Sequence, residues 1–304
     1  MRRVFGLGET VFDIIFKNGQ PVSAKAGGSV LNAMVSLARL GHQCCFISEL
    51  GHDKVGDIIV DFLNQNNINS SYLQRYNHGQ SALAMAFLNA QNDAEYDFYK
   101  NYPEERLTLP LPEFEEGDIF LFGSSYAVSP VIRRQVVKIA EHAKKCGCTI
   151  IYDPNIRKAN KNNPSETLEF IKENMELADI VRASNEDLCN IFNTSNSEDS
   201  YAKVNPYCTN LIYSANAKGV YIHSNNFANH YSVPTIKTIS TIGAGDNFNA
   251  GIIHGLLKLC LNKQSLAGLN ENQWNQLADC GIQLATDVCM SMDNYINEGF
   301  TLSQ

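Results

Sequence analysis

The sequence has no C-x-x-C pair, no H-E-x-x-H, and no apolar run approaching the ~20 residues that span a bilayer. Nine cysteines sit at irregular spacing, with Cys44 beside Cys45 and Cys146 one residue from Cys148. An odd count without a spacing pattern argues against a disulfide framework and fits a reduced compartment. The seven histidines form no ligand cluster, so a metal site built from His and Cys is not expected. His254, alone on an expected helix, reads as a packing residue. Two phosphate-binding signatures are missing as well. Without G-x-x-x-x-G-K-[ST] there is no P-loop, and without G-x-G-x-x-G there is no dinucleotide fingerprint. Positive charge is also scarce: 24 Lys and Arg against 32 Asp and Glu leave a net charge of −8 and a pI near 5.4. That balance argues against nucleic acid and against an anionic membrane as partners. Any phosphate site must then be local, made from backbone amides and helix ends. The opening "MRRVFGLGETVFD" carries no signal-peptide apolar stretch, so a cytoplasmic setting is expected.

What the chain does have is enough apolar residue, 44% of 304, to bury a large core, and one large α/β domain over 1–304 is expected. Short apolar runs alternate with helical patterns. "RVFGLG", "CCFISELG", "DIFLFGSS", "CTIIYDPN", "DIVRAS" and "NLIYSAN" read as buried strands. Between them, "GSVLNAMVSLARLG", "DKVGDIIVDFLNQNN" and "SPVIRRQVVKIAEHAKKCG" read as helices, followed by two long ones near 244–261 and 271–290. This alternation predicts a mostly parallel central sheet with helices on both faces, a three-layer α/β fold. Two regions break it. Residues 10–24 read as strand, N-G turn, strand, and residues 80–100 as two strands around "AQNDAE". Together they predict a small β-sheet, discontinuous in sequence, that acts as a lid over the ligand edge. The polar stretch "NTSNSEDSYAKVNPY" reads as an exposed loop with a weak helix.

The stretch "STIGAGDNFNAG", Ser240 to Gly251, combines opposites. A Gly-Ala-Gly turn entering a helix turns backbone N–H groups toward an anion, and Asp246 follows at once. The amides attract an anion that the carboxylate repels, a pairing that suits an anion held against a neutral group about to lose a proton. The bland alternative is an aspartate capping the helix. In "KAGGSVLNAMVSLARLG", Gly27 and Gly28 allow close approach of a ligand before a helix. Asn32, Ser36 and Arg39 share a polar stripe there, which alone reads as a solvent-facing side. "ELGHDKVGD" spaces Gly51, Asp53 and Gly56 as a turn with a helix cap, and "YDPNIRK" sets Asp153, Asn155 and Arg157 past a strand's C-terminal end, where α/β sheets bind ligands.

The order and spacing of these motifs resemble the ribokinase-like (PfkB) carbohydrate kinases, from Gly8 to the last helix, and fructokinases most of all. "GLGETVFDIIF", "FLFGSS" and "YDFYK" carry the fructokinase likeness. The resemblance implies ATP and Mg2+ as cofactors and a sugar as acceptor. It makes Asp246 the base for the sugar hydroxyl, with the Gly243, Ala244 and Gly245 amides as the anion hole. Asp13, Gly28 and Asn32 would hold sugar hydroxyls, Phe98 and Lys100 would stand on the lid strand, and Arg157 would lie near the transferring phosphate. Relatives often pair lids, which implies a homodimer through the lid sheet.

The chain also departs from the family pattern. The N-x-x-E segment reads "ASNEDLCN", which aligns Ser184 and Asp187 and leaves Glu186 as a substitute acid near the metal and phosphates. The T-x-G-x-x-G nucleotide loop reads "SANAKG", with Ser214 for Thr and Asn216 for the first Gly, followed by Lys218 and Gly219. Asparagine tolerates a left-handed backbone, so the loop can keep its shape. Ser240 stands where relatives carry an acid tied to monovalent cations, which argues against potassium activation. Competing expectations are a kinase for another sugar, a sugar acid using Lys100, or a nucleoside, and a sugar-binding protein with little turnover.

Overall fold

The computed structural model of the protein describes residues 2–89, 94–156 and 163–302. The chain opens with β1 (Arg3–Leu7), β2 (Val11–Lys17), β3 (Gln20–Gly27), α1 (Ser29–Arg39), β4 (Gln43–Gly51), α2 (Lys54–Gln65), β5 (Ile68–Asn69), β6 (Leu73–Tyr76), β7 (Gln80–Leu88) and β8 (Ala94–Asn101). It continues through β9 (Ile119–Gly123), α3 (Ser124–Ala127), α4 (Arg133–Lys145), β10 (Thr149–Asp153), α5 (Pro164–Leu177), β11 (Ile180–Ser184), α6 (Asn185–Phe192) and α7 (Ser197–Val204). The last part holds β12 (Leu211–Ser214), β13 (Val220–Ser224), β14 (Phe227–Tyr231), α8 (Ala244–Lys258) and α9 (Glu271–Cys289).

The apolar runs become strands because both of their faces are buried. In β9, Phe120 and Phe122 pack with Phe5, Tyr152, Val136 and Met175 on one side. Ile119 and Leu121 pack with Val4, Met34, Ile252 and Leu277 on the other. A strand covered by helices on both faces has no polar side to alternate with, hence the continuous apolar pattern. The sheet order is β14-β13-β12-β11-β10-β9-β1-β4-β5, with β6 paired to β4. It is parallel from β12 to β5, and only β13 and β14 run antiparallel at one edge. The expected three-layer fold with a mostly parallel sheet is therefore what forms. The edge hairpin β13–β14 and the helices α5 and α6 were not anticipated, since short half-polar segments lack a clear period. The stretch expected to be a loop with a weak helix holds α7, where Asn196 accepts from the Asp199 amide at 2.8 Å and Val204 is buried.

The second sheet has the order β3-β2-β7-β8, with β2 and β7 parallel. It matches the two expected regions, apart from residues 90–93 of the turn, which lie outside the described residues. Its registers put Val11, Asp13, Ala84 and Phe98 on one face and Ile14, Met85 and Asp97 on the other. His254 is packed as expected: its Nδ1 lies 2.8 Å from His42 Nε2, and burial beside that ring lowers its pKa to about 4.

Candidate functional site

The parallel registers bring the C-terminal ends of β9 to β12 level, pairing Gly123 with Asp153 and Ser184 with Ser214. The N-terminus of α8 points at this edge. Gly243 precedes the helix with φ 82°, a left-handed backbone, and a Cβ there would lie 2.5 Å from the Asn294 carbonyl oxygen. Any other residue would meet both strain and a clash. Gly243 is thus the N-cap, and Asp246 sits at the third helical position with no side-chain cap. This corrects the capping alternative: the Asp246 carboxylate is buried, 8% exposed, and accepts a hydrogen bond from Asn32 Nδ2 at 2.8 Å.

That bond overturns the solvent-facing reading of Asn32. Two members of the polar stripe of α1, Asn32 and Ser36, face α8, while Arg39 bonds Asn66 and the Ile296 carbonyl. Asn32 is 4% exposed, and Ser36 is fully buried and donates to Asn247 Oδ1. Gly28, just before α1, has φ 135°, and a Cβ on it would come within 2.3 Å of the Glu9 carbonyl oxygen. Asp13 lies against Gly27, opposite Lys25 on the neighbouring strand. Burial raises its pKa to about 6, with Lys25 pulling only partly the other way. Lys25 in turn donates to the Met292 carbonyl at 2.7 Å.

Lys100 does not stand free on the lid. Its ammonium donates to both Glu9 oxygens, at 2.7 and 2.6 Å, and Tyr102 donates to Glu9 Oε1 at 2.6 Å. Behind them Arg106 Nε bonds buried Glu49 at 2.7 Å, and Tyr126 donates to the same Glu49 oxygen at 2.9 Å. Glu9, Lys100, Tyr102, Arg106 and Tyr126 line a cleft of about 450 Å³ that Ile156 and Thr167 also border. Phe98 is farther out on the lid, 56% exposed, with Lys100 Nζ 5.1 Å from its ring centroid.

On the other side of α8, Asp153 ends β10. Its Oδ2 accepts from Arg182 Nη1 at 3.0 Å and from Asn249 Nδ2 at 2.6 Å. Burial raises the Asp153 pKa against the pull of Arg182. Ser214 Oγ accepts from Arg182 Nη2 at 2.8 Å. Asn216 takes the left-handed backbone, φ 50°, and Gly219 closes the turn with φ 96°. Lys218 is exposed between them, and its carbonyl is 2.8 Å from His230 Nε2. Ser184 caps α6 in a capping box with Asp187, whose two oxygens accept from the Ser184 amide, the Ser184 hydroxyl and the Ile156 amide at 2.9, 2.6 and 2.7 Å. Glu186 is exposed, and no cluster of three His, Cys, Asp or Glu suited to a metal occurs among the described residues. Arg157 lies outside the described residues.

Sequence reasoning missed Arg182, Asn249 and the Glu49–Arg106 pair. A guanidinium inside "DIVRAS" and an amide inside the apolar run after Asp246 were the available signals, because a polar group in such places needs a buried partner. Three buried polar atoms near α8 have no protein partner: Asn32 Oδ1, Arg182 Nε and Asn249 Oδ1. Clustered orphans of this kind mark a place where a polar ligand can complete the bonding.

Residues 1–281 match the model of the pfkB family of carbohydrate kinases. A probable chloroplastic fructokinase-6 of Arabidopsis thaliana is 28% identical over 247 residues, 78% of this chain but 64% of that protein, so the chain spans under two thirds of that relative's length. The aminoimidazole riboside kinase of Salmonella typhimurium strain LT2 is 26% identical over 259 residues, 84% of this chain and 81% of that one. Among solved structures, the fructokinase of Vibrio cholerae O395 with fructose, ADP and calcium superposes with a TM-score of 0.82 at 20% identity, covering 97% of this chain and 94% of that one. At that identity the likeness speaks to the fold, which is ribokinase-like.

Proposed function

We propose, for a chain that belongs to the pfkB family of carbohydrate kinases, that it transfers the γ-phosphate of ATP to a primary hydroxyl of a sugar, and that the sugar is D-fructose. The observation that carries this is the buried Asp246 carboxylate in the first turn of α8, beside the amides of Gly243, Ala244 and Gly245. The amides and the helix dipole hold the transferring phosphoryl group, and Asp246 takes the proton of the attacking hydroxyl. Phosphoryl transfer passes through a loose transition state, so positioning and charge stabilisation do most of the work. Asp13, Gly28 and Asn32 position the sugar, with Phe98 and Lys100 on the lid above it. Ser184, Ser214, Asn216, Lys218 and Gly219, with Gly245, line the nucleotide side.

Mg2+ enters with ATP as part of the substrate. Direct ligation by this chain does not fit the described residues, because Asp187 already accepts three hydrogen bonds and Glu186 is solvent-exposed. Both act indirectly: Asp187 ties the Ser184 turn to the chain after β10. A cytoplasmic setting belongs to the same proposal; no helix among the described residues is long and apolar enough to cross a membrane.

Lys100 bears on the acceptor. A sugar acid needs a free cation near the lid, and Lys100 is neutralised by Glu9. A nucleoside is the reading that keeps support, since a riboside kinase is 26% identical to this chain over 259 residues. In a coupled ADP-release assay D-fructose is expected to give the highest kcat/KM among D-fructose, D-ribose, adenosine and 2-keto-3-deoxygluconate. A higher value for another acceptor replaces fructose and leaves the kinase assignment in place.

The far face of the lid, with Ile14, Phe16, Met85, Phe87 and Tyr99 beside Glu95 and Asp97, is partly exposed. A second copy covers it in the proposed homodimer. Light scattering is expected to give twice the chain mass, and Phe87→Glu to give the monomer; a monomeric wild type at micromolar concentration removes the dimer.

A further inference from the structure

Arg182 stands in the middle of β11, in a strand buried on both faces, and its side chain is 8% exposed. Its guanidinium lies against the first turn of α8: a Cβ built on Gly245 would be 2.7 Å from Nη1 and 3.2 Å from Nη2. That is an unfavourable place for a cation, because a helix N-terminus carries about half a positive charge of its own. The carboxylate that bonds the guanidinium, Asp153, shares its Oδ2 with Asn249, and Asp246 stands in the same first turn of α8. The second contact of the fork, Ser214 Oγ, is neutral, and Nε has no partner at all. A guanidinium buried to this degree with an unused N–H beside the open end of a helix keeps donor capacity that an anion would complete.

We infer that Arg182 is a catalytic residue, its guanidinium contacting the anionic phosphoryl group held at the N-terminus of α8. The inference rests on the kinase reading above. In the transfer, the sugar oxygen bonds to phosphorus, the bond from phosphorus to the ADP oxygen breaks, and the hydroxyl proton passes to Asp246. Arg182 exchanges no proton; it offsets the charge on the equatorial oxygens. Asp153 and Ser214 hold the fork flat in position, which a flexible ammonium could not match. The need for this cation explains an arginine in a strand otherwise made for the core.

The test compares wild type, Arg182→Gln and Arg182→Lys by turnover, fructose affinity, and calorimetric binding of inorganic tripolyphosphate, with melting temperature recorded alongside. Arg182→Gln is expected to lose at least ~10²-fold in kcat and at least ~10-fold in tripolyphosphate affinity, with fructose affinity within about threefold. Arg182→Lys is expected to recover most of the tripolyphosphate affinity but not the turnover. An arginine that only ties two strands together would lower the melting temperature of Arg182→Gln and leave kcat and tripolyphosphate affinity within about threefold, which overturns the inference. Where Arg182→Gln does not fold, a crystal structure of the wild-type protein with tripolyphosphate decides. A phosphate oxygen within ~3.2 Å of the guanidinium is expected, and phosphate bound out of its reach overturns the assignment. A wild type that releases no ADP with any sugar refutes the kinase reading, whereas the tripolyphosphate measurements judge Arg182 as an anion ligand independently.

Discussion

Asp246→Asn is expected to lower kcat by at least ~10²-fold, because general-base contributions run to ~10²–10⁴ in rate. The substitution keeps size and keeps an oxygen for Asn32 Nδ2, which bonds the carboxylate at 2.8 Å. Fructose affinity is therefore expected to change by less than ~10-fold, about 1.4 kcal/mol. Stability should fall moderately. Asp246 is not the cap of α8, so the loss includes the interaction of a buried carboxylate with the helix dipole, up to ~2 kcal/mol. Turnover, calorimetric sugar affinity and melting temperature on one preparation separate the roles. A kcat within ~10-fold of wild type would remove Asp246 as the base.

The second large effect is at Asp13, where stability and binding are expected to move in opposite directions. Burial holds its pKa at about 6, above the ordinary aspartate value near 4. The folded protein thus binds this proton more tightly than the unfolded chain. The stability it contributes is complete in acid and is lost as pH rises through about 6. Above that pH the ionised group costs about 3 kcal/mol. Asp13→Asn is expected to raise the melting temperature of the sugar-free protein at pH 8 and to flatten its decline between pH 4 and 7. Sugar binding should suffer, because a carboxylate is a stronger acceptor for hydroxyls than an amide, by ~10-fold or more. Wild-type affinity should strengthen as pH rises through about 6, and the variant should lose that dependence. Unchanged fructose affinity in Asp13→Asn would sever Asp13 from the sugar; an unchanged melting temperature at pH 8 would mean the carboxylate is not desolvated.

Several parts of the site were legible because local pattern determines them. A Gly-Ala-Gly turn ahead of an apolar run has one sensible structure, a helix N-terminus, and α8 starts there, with the Ala244 amide donating to the Thr241 carbonyl at 3.3 Å. Asn216 could be placed in a left-handed turn because few other residues tolerate it, and its φ of 50° agrees. Asp53 was readable as a cap, and its Oδ1 accepts from the Gly56 amide at 2.7 Å. The polar stripe of α1 was not readable. Periodicity shows that Asn32 and Ser36 share a face, but not that the opposing helix supplies Asp246 and Asn247. Lys100 was ambiguous for the same reason, since its charge is neutralised by Glu9, distant in sequence.

The sequence by itself determined the strand–helix alternation, the doubly covered parallel sheet, the separate small sheet and the positions of the glycine-rich turns, all consequences of hydrophobic period and of residues with special backbone freedom. Only the tertiary structure decided which polar groups meet: Asn32 with Asp246, Arg182 with Asp153 and Ser214, Lys100 with Glu9. The reason is physical. Secondary structure is set by interactions a few residues apart, whereas a buried charge is satisfied by whatever the fold brings beside it, however far off along the chain.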